Sequence, residues 1–215
     1  TQDDEWRTSA YFYLWGTGLN GTARLAGNDV EMDASFSDLV EELDSAFSGR
    51  IHTRKQNWGL FLDYMTVKLD SDTMLPIGAN LKATTKNRIT ELGGSYQFNT
   101  VLEGLFGARF QYLKLELAFP GGEVPNRSHD WGDGFVGLRY APIQTDNWKV
   151  WLRGDVGLLG DSDQTWNAAL GAAYTFDNNW SLAAAYRYLS NDYEDGAFKW
   201  NVDHSGLGLG VGYSW

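Results

Sequence analysis

The chain predicts an all-β fold, a transmembrane antiparallel up-and-down β-barrel of about ten strands, with eight strands as the alternative. Three observations predict it. The first is the placing of tryptophan: Asn57-Trp58, Asn147-Trp148 and Asn179-Trp180 each follow a short polar turn, and Trp215 ends the last alternating segment. An indole has an apolar body and one N–H donor, so it favours a level that is greasy on one side and wet on the other. Trp58, Trp148, Trp180 and Trp215 therefore form the aromatic girdle expected at the turn-side ends of barrel strands. The second is residue parity, and the third is composition. The 215 residues include 25 Gly, 4 Pro and 15% aromatics, yet mean hydropathy is only −0.38. A barrel strand needs only every second residue to be apolar, so its bulk hydropathy looks soluble. No run approaches the roughly 18 apolar residues of a transmembrane helix.

Alternating segments run over about 9–27, 46–55, 58–69, 81–98 and 102–117, then 132–143, 148–159, 165–176, 180–189 and 198–215. Their connections alternate in length. Short ones fall at Lys55-Gln56-Asn57, Asn99-Thr100, Gln144–Asn147 and Asp177–Asn179, and belong on the periplasmic side. Longer ones are expected at Asp70–Asn80, Phe119–Trp131, Gly160–Gln164 and Asn191–Ala197, outside. Parity is sharp in the late segments. Trp148, Val150, Leu152, Val156 and Leu158 share one face against Lys149, Arg153 and Asp155. Trp180, Leu182, Ala184, Tyr186 and Tyr188 oppose Ser181, Ala183, Ala185 and Arg187. A soluble sandwich also alternates but buries its aromatic face. Aromatic strand ends with charges opposite the apolar face fit lipid outside and a polar lumen inside. The whole chain, 1–215, reads as one barrel domain.

A net charge of −11 argues against a nucleic-acid partner and against docking on anionic lipid through a basic patch. The absence of cysteine fits an exported protein built without disulfides. The polar start, Thr1-Gln2-Asp3-Asp4-Glu5, is what a mature chain carries after its signal peptide is cleaved.

The terminal aromatic strand, Gly206–Trp215, resembles the C-terminal signature of Gram-negative outer-membrane barrels. Ser35-Phe36-Ser37-Asp38-Leu39 and Trp58-Gly59-Leu60-Phe61-Leu62-Asp63 are similar to segments of small proteobacterial outer-membrane proteins. The resemblance implies an integral outer-membrane address, membrane lipid and lipopolysaccharide as surroundings, and the barrel-assembly machinery as reader of the terminal aromatic. It implies no reaction and no cofactor.

Inward parity gives a charged interior: Arg50, His52, Arg54, Asp63, Glu91, Glu103, Arg109, Arg139, Lys149, Arg153, Asp155 and Arg187. Ten strands enclose little space, so opposite charges should pair rather than lie bare. Two readings stay open: a salt-bridge network that stiffens the barrel, or a charge-selective path for ions or small solutes. One segment breaks the β pattern. Phe36, Leu39, Val40, Leu43 and Phe47 fall at helical spacing, with Asp38, Glu41, Glu42 and Asp44 on the other face. Such a helix either plugs the mouth through lumen arginines or packs as an ordinary loop helix. The glycine row Gly206, Gly208, Gly210 and Gly212 leaves lumen space that favours a plug.

Catalysis has little support. His204 and Ser205 are adjacent on a strand and point to opposite faces. His129, Asp130, Asp133, Asp192 and Asp203 reach the rim, but their spacing does not show that they meet. Asp161-Ser162-Asp163 and Asn191–Gly196 are oxygen-rich without the spacing of a calcium loop. Neither metal nor cofactor is expected. The leading expectation is a narrow channel; a non-conducting structural or surface-binding barrel comes second, and a rim hydrolase third.

Overall fold

A computed structural model describes residues 5–25, 28–74, 80–119, 122–123 and 127–215. Parts of two expected outer loops, 75–79 and 120–126 apart from 122–123, lie outside the described residues, as does the start of the chain at 1–4. The strands are β1 (Arg7–Leu25), β2 (Asn28–Ala34), β3 (Leu43–Lys55), β4 (Trp58–Met74), β5 (Asn80–Gln97), β6 (Leu102–Phe119) and β7 (Gly122–Glu123), followed by β8 (Arg127–Gln144), β9 (Trp148–Gly160), β10 (Gln164–Thr175), β11 (Trp180–Asp195) and β12 (Phe198–Ser214). One helix, α1 (Phe36–Glu41), lies between β2 and β3.

All described strand pairs are antiparallel, and ten strands go round the barrel: β1, β3, β4, β5, β6 and β8 to β12. The seam closes by pairing β1 with β12 from Ser9↔Ser214 to Arg24↔Lys199, which removes the open edges that a sheet would otherwise expose. β2 and β7 are short additions that pair with the outer ends of β1 and β6.

The belt is apolar and bare. Leu14, Leu60, Leu92, Leu138, Leu158, Leu170, Leu182 and Leu209 are all exposed over more than half of their surface. A soluble monomer rarely leaves so continuous an apolar surface open, whereas hydrocarbon covers it at no cost. From Trp58 to Lys68, or from Trp180 to Ser190, is eleven residues of strand, within the roughly 9–11 residues that a tilted strand needs to cross a bilayer. At the turn end Trp58, Trp148, Trp180 and Trp215 all face outward and are exposed, each beside another aromatic or close to one: Trp58 by Tyr96, Trp148 by Tyr174, and Trp180 and Trp215 by Tyr213. The protein is an integral membrane β-barrel of the outer-membrane type.

Two expectations are corrected. Among the described residues, three of the four long outer loops are mostly strand, since β4 runs on to Met74, β8 begins at Arg127 and β11 continues to Asp195, while 161–163 stay a loop between β9 and β10. Only Gly196 and Ala197 separate β11 from β12, and Gly196 takes the left-handed conformation (φ 59°) that such a tight turn requires. The strands outrun the bilayer because their cross-strand pairs continue above it, so polarity there marks water rather than loop. The helix is also shorter than its apolar spacing suggests. It ends at Glu41, and Leu43–Phe47 belong to β3, paired with β4.

Candidate functional site in the barrel lumen

The lumen is built in layers from the inward residues of every strand. At the turn end, Glu103 on β6 takes ion pairs from Arg54 on β3 and from Arg139 on β8 (2.9 Å). Arg54 also donates to Gln97 (2.7 Å), and His52 and Lys149 share this level. Above it lies an apolar layer of Phe61, Leu105 and Phe135.

The centre is a charge network. Glu91 accepts hydrogen bonds from Arg109 (3.0 Å) and Arg187 (2.6 Å) and forms an ion pair with Arg153 (2.9 Å). Asp155 accepts from Arg109 (2.6 Å), Arg153 (2.7 Å) and the Asn167 amide (2.8 Å), whose oxygen in turn takes Arg187 Nε (2.7 Å). Arg50 pairs with Asp63 (3.0 Å), which also accepts from Tyr13 Oη at 2.5 Å. The guanidinium groups lie over aromatic rings: Arg50 over Phe61 (4.6 Å), Arg109 over Phe135 (5.1 Å) and Arg187 over Trp15 (5.0 Å). Arginine suits this place because a planar, weakly hydrated cation can stack and form two directed bonds at once.

Trp15, Met65, Ile89 and Leu189 cover the network. Next come neutral hydrogen bonds, Gln111 to Asn191 (2.5 Å) and Asn87 to His204 (3.2 Å). The outer mouth is then closed by Ala23, Leu113, Trp131, Tyr193, Phe198, Trp200 and Val202. Trp131 stacks on Tyr193 across the mouth (4.6 Å between ring centres), and His129 stacks on Phe198 (3.7 Å).

All twelve residues given to the lumen by parity thus sit on inward faces, and the structure joins most of them into two groups. Three things were missed. The neutral partners Gln111, Asn167 and Asn191 carry no charge to mark them, although they continue the same inward parity. Tyr13 and Trp15 look like girdle aromatics. Within the mouth cluster, Trp131 and Tyr193 lie in segments whose polarity suggested loops, although the alternation Tyr193, Asn191, Leu189 was there to be followed.

The helix does not lie in the lumen. Gly16 faces outward with Leu14 and Leu207, and a Cβ there would stand 2.7 Å from the Phe36 ring. At Gly18 the same atom would meet the Ala34 carbonyl at 3.0 Å. The chain therefore crosses the outer face of β1, over two residues that lack side chains. Its carboxylates stay outside. Asp38 caps the helix through Ser35, Glu42 accepts from Ser71 (2.8 Å) and Asp44 pairs with Lys68 (3.1 Å). α1, which contains Glu41, has no buried residue. The glycine row does leave lumen space, but β1 fills it: a Cβ at Gly212 would meet the Tyr11 ring at 2.4 Å, one at Gly210 would meet Tyr13 Cβ at 2.9 Å, and Trp15 Nε1 donates to the Gly206 carbonyl (3.1 Å).

The rim residues considered for chemistry are not brought together. His129 and Asp133 face inward, but His129 is stacked on Phe198 and Asp133 is held by Ser162 (2.7 Å). Asp203 faces outward and accepts from Tyr188. Asp161 accepts from the Gly132 amide (2.9 Å), and no group of three metal-ligating side chains occurs among the described residues.

No family model and no curated protein matches the chain. Among solved structures it is similar to the attachment invasion locus protein Ail of Yersinia pestis, at 12% identity over 99% of each chain with a TM-score of 0.45. It is also similar to the translocator domain of the autotransporter NalP from Neisseria meningitidis, at 17% identity over 97% of this chain and 86% of that one, TM-score 0.45. A third is Neisserial surface protein A, at 14% identity over 97% and 94%, TM-score 0.32.

Proposed function

We propose that the protein is a non-conducting outer-membrane barrel that works through its outer rim, against surface lipid and lipopolysaccharide or a partner meeting that rim. One observation carries this reading. Arg109 and Glu91, at mid-lumen, have 0% and 1% of their side-chain surface open to water. A conducting path has to wet the groups that line it, and this pair is dry on every side. The apolar cluster at the mouth adds a second closure.

The rim supports the lipid side of the proposal. Lys68, Lys86 and Lys114 are register neighbours on β4, β5 and β6, all outward-facing and just above the belt. Arg88 lies beside them, over the ring of Tyr112 (5.2 Å). Asp70, Asp44 and Glu116 pair with the lysines, so the band is mixed in sign, as suits a surface of phosphates and bridging cations.

Protein shown to be folded, inserted in planar bilayers with concentrated KCl, should give no discrete openings. Stable unitary currents would sink the proposal. A second reading, a narrow pore that opens on a signal, draws on the surplus of cations at the turn end of the lumen and predicts anion selectivity if currents are seen.

A further inference from the structure

The central network is close to balanced, with Arg109, Arg153 and Arg187 sharing Glu91 and Asp155, and Arg50 matched to Asp63. The turn-end group is not. Arg54, Arg139 and Lys149 face one carboxylate, Glu103, and both arginines already hold it. The Lys149 side chain makes no hydrogen bond or ion pair with any described residue. Arg54 Nε and His52 Nε2 are likewise buried without a partner. Such a surplus is costly in a confined space, and this chain, at −11 overall, had carboxylates in abundance to place there.

The side chains also leave room. Arg54, Glu103, Arg139, Lys149, Gln97 and Gln144 border a cavity of about 20 Å³ that opens between the turns. One water needs about 10–15 Å³ on the same measure, so the cavity holds a small ion with little else. Trp148 marks this level as the membrane interface, within reach of the periplasmic solution.

We infer that the periplasmic end of the lumen is a binding site for a small anion, held by Lys149 with Arg54 and Arg139 and given hydrogen bonds by Gln97 and Gln144. The ligand class is a halide, or one oxygen face of a phosphate or carboxylate. The site stands whether or not the lumen conducts.

The test titrates inorganic phosphate, and separately chloride, into the folded full-length barrel in detergent, in a buffer whose only other anion is a bulky sulfonate. Calorimetry should show saturable binding of one anion per barrel. Lys149→Gln should weaken it at least tenfold, while Lys55→Gln, at the same end but facing outward, should leave it unchanged. Gln144→Glu provides an independent check. Gln144 is the register partner of Lys149, so a carboxylate there places the missing negative charge inside the site and should abolish anion binding while raising the unfolding temperature. Chloride competing with phosphate would fix the occupant as halide-sized; phosphate binding that chloride does not displace would fix it as an oxyanion. Absence of saturable binding by either anion to folded wild-type protein would overturn the inference. So would a Lys149→Gln variant that binds as wild type does.

Discussion

Glu91 is the residue on which the interior depends most. It is the ion-pair partner of three arginines from three strands, so its removal strands several charges at once. Breaking a buried pair by deleting one partner costs about 3–5 kcal/mol, because the survivor stays buried and uncompensated. Glu91→Gln should therefore lower stability by about that much, read from urea unfolding in lipid vesicles, while Lys149→Gln should leave it unchanged or raise it. Equal losses in the two variants would mean that the central network holds the barrel no more firmly than any other lumen site. At this scale the sequence was informative about charge and silent about neutrality. Inward parity alone located Glu91, Arg109, Arg153 and Asp155, since a charge on the face opposite a lipid-facing Leu has nowhere else to go. It gave no reason to prefer Asn167 or Gln111 over Ala169, because all three follow the same inward parity and none carries a charge to single it out.

Among the elements, the β1–α1–β3 connection departs most from its sequence pattern. Helical spacing over Phe36–Phe47 is real, but Leu43, Ser45 and Phe47 also alternate, and pairing with β4 satisfies backbone groups that an isolated helix of this length would leave open. Its placement outside the barrel rests on Gly16. Gly16→Leu should drive Phe36 off β1 and expose 34–42 to protease, with the barrel itself still resistant; an unchanged cleavage pattern would place the crossing elsewhere. The outer part of the β4–β5 pair makes a second prediction. The Asp70 carboxyl is held below the usual aspartate range by the Thr84 hydroxyl (2.6 Å) and by Lys68 (2.9 Å), and Glu116 is held below the usual glutamate range by Lys114. Carboxyls depressed in the folded state stabilise it above their unfolded pKa, and that contribution disappears as pH falls through the folded values. Hydrogen exchange at 68–72 and 82–86, corrected for intrinsic rate, should stay flat down to about pH 5 and quicken below about pH 4, where free Asp and Glu take up protons. Asp70→Asn should flatten that response. A rise beginning near neutral pH would point to another titrating group.

For the molecule as a whole, the question is how many closures lie in series along the axis. Sequence parity showed that the interior is charged. It could not show whether the interior is full, because fullness depends on how ten inward rows interlock: Phe61 and Phe135 beneath the guanidinium groups, Trp15 above them, and Trp131 and Trp200 at the mouth. The outer cluster and the central network are separate seals, made by different residues at different heights. In a gated pore whose gate is the aromatic mouth, removing the mouth opens the path. In a barrel sealed twice it does not, because resistances in series are set by the closure that remains. Trp131→Gly with Trp200→Gly should therefore leave folded protein silent in planar bilayers, although a small water-soluble quencher added from the outside should now reach Trp15 and reduce its fluorescence in a background that lacks the other tryptophans. Discrete currents from that double variant would mean that the dry arginine–carboxylate layer parts readily, and the lumen, rather than the rim, would then be the working part of the protein.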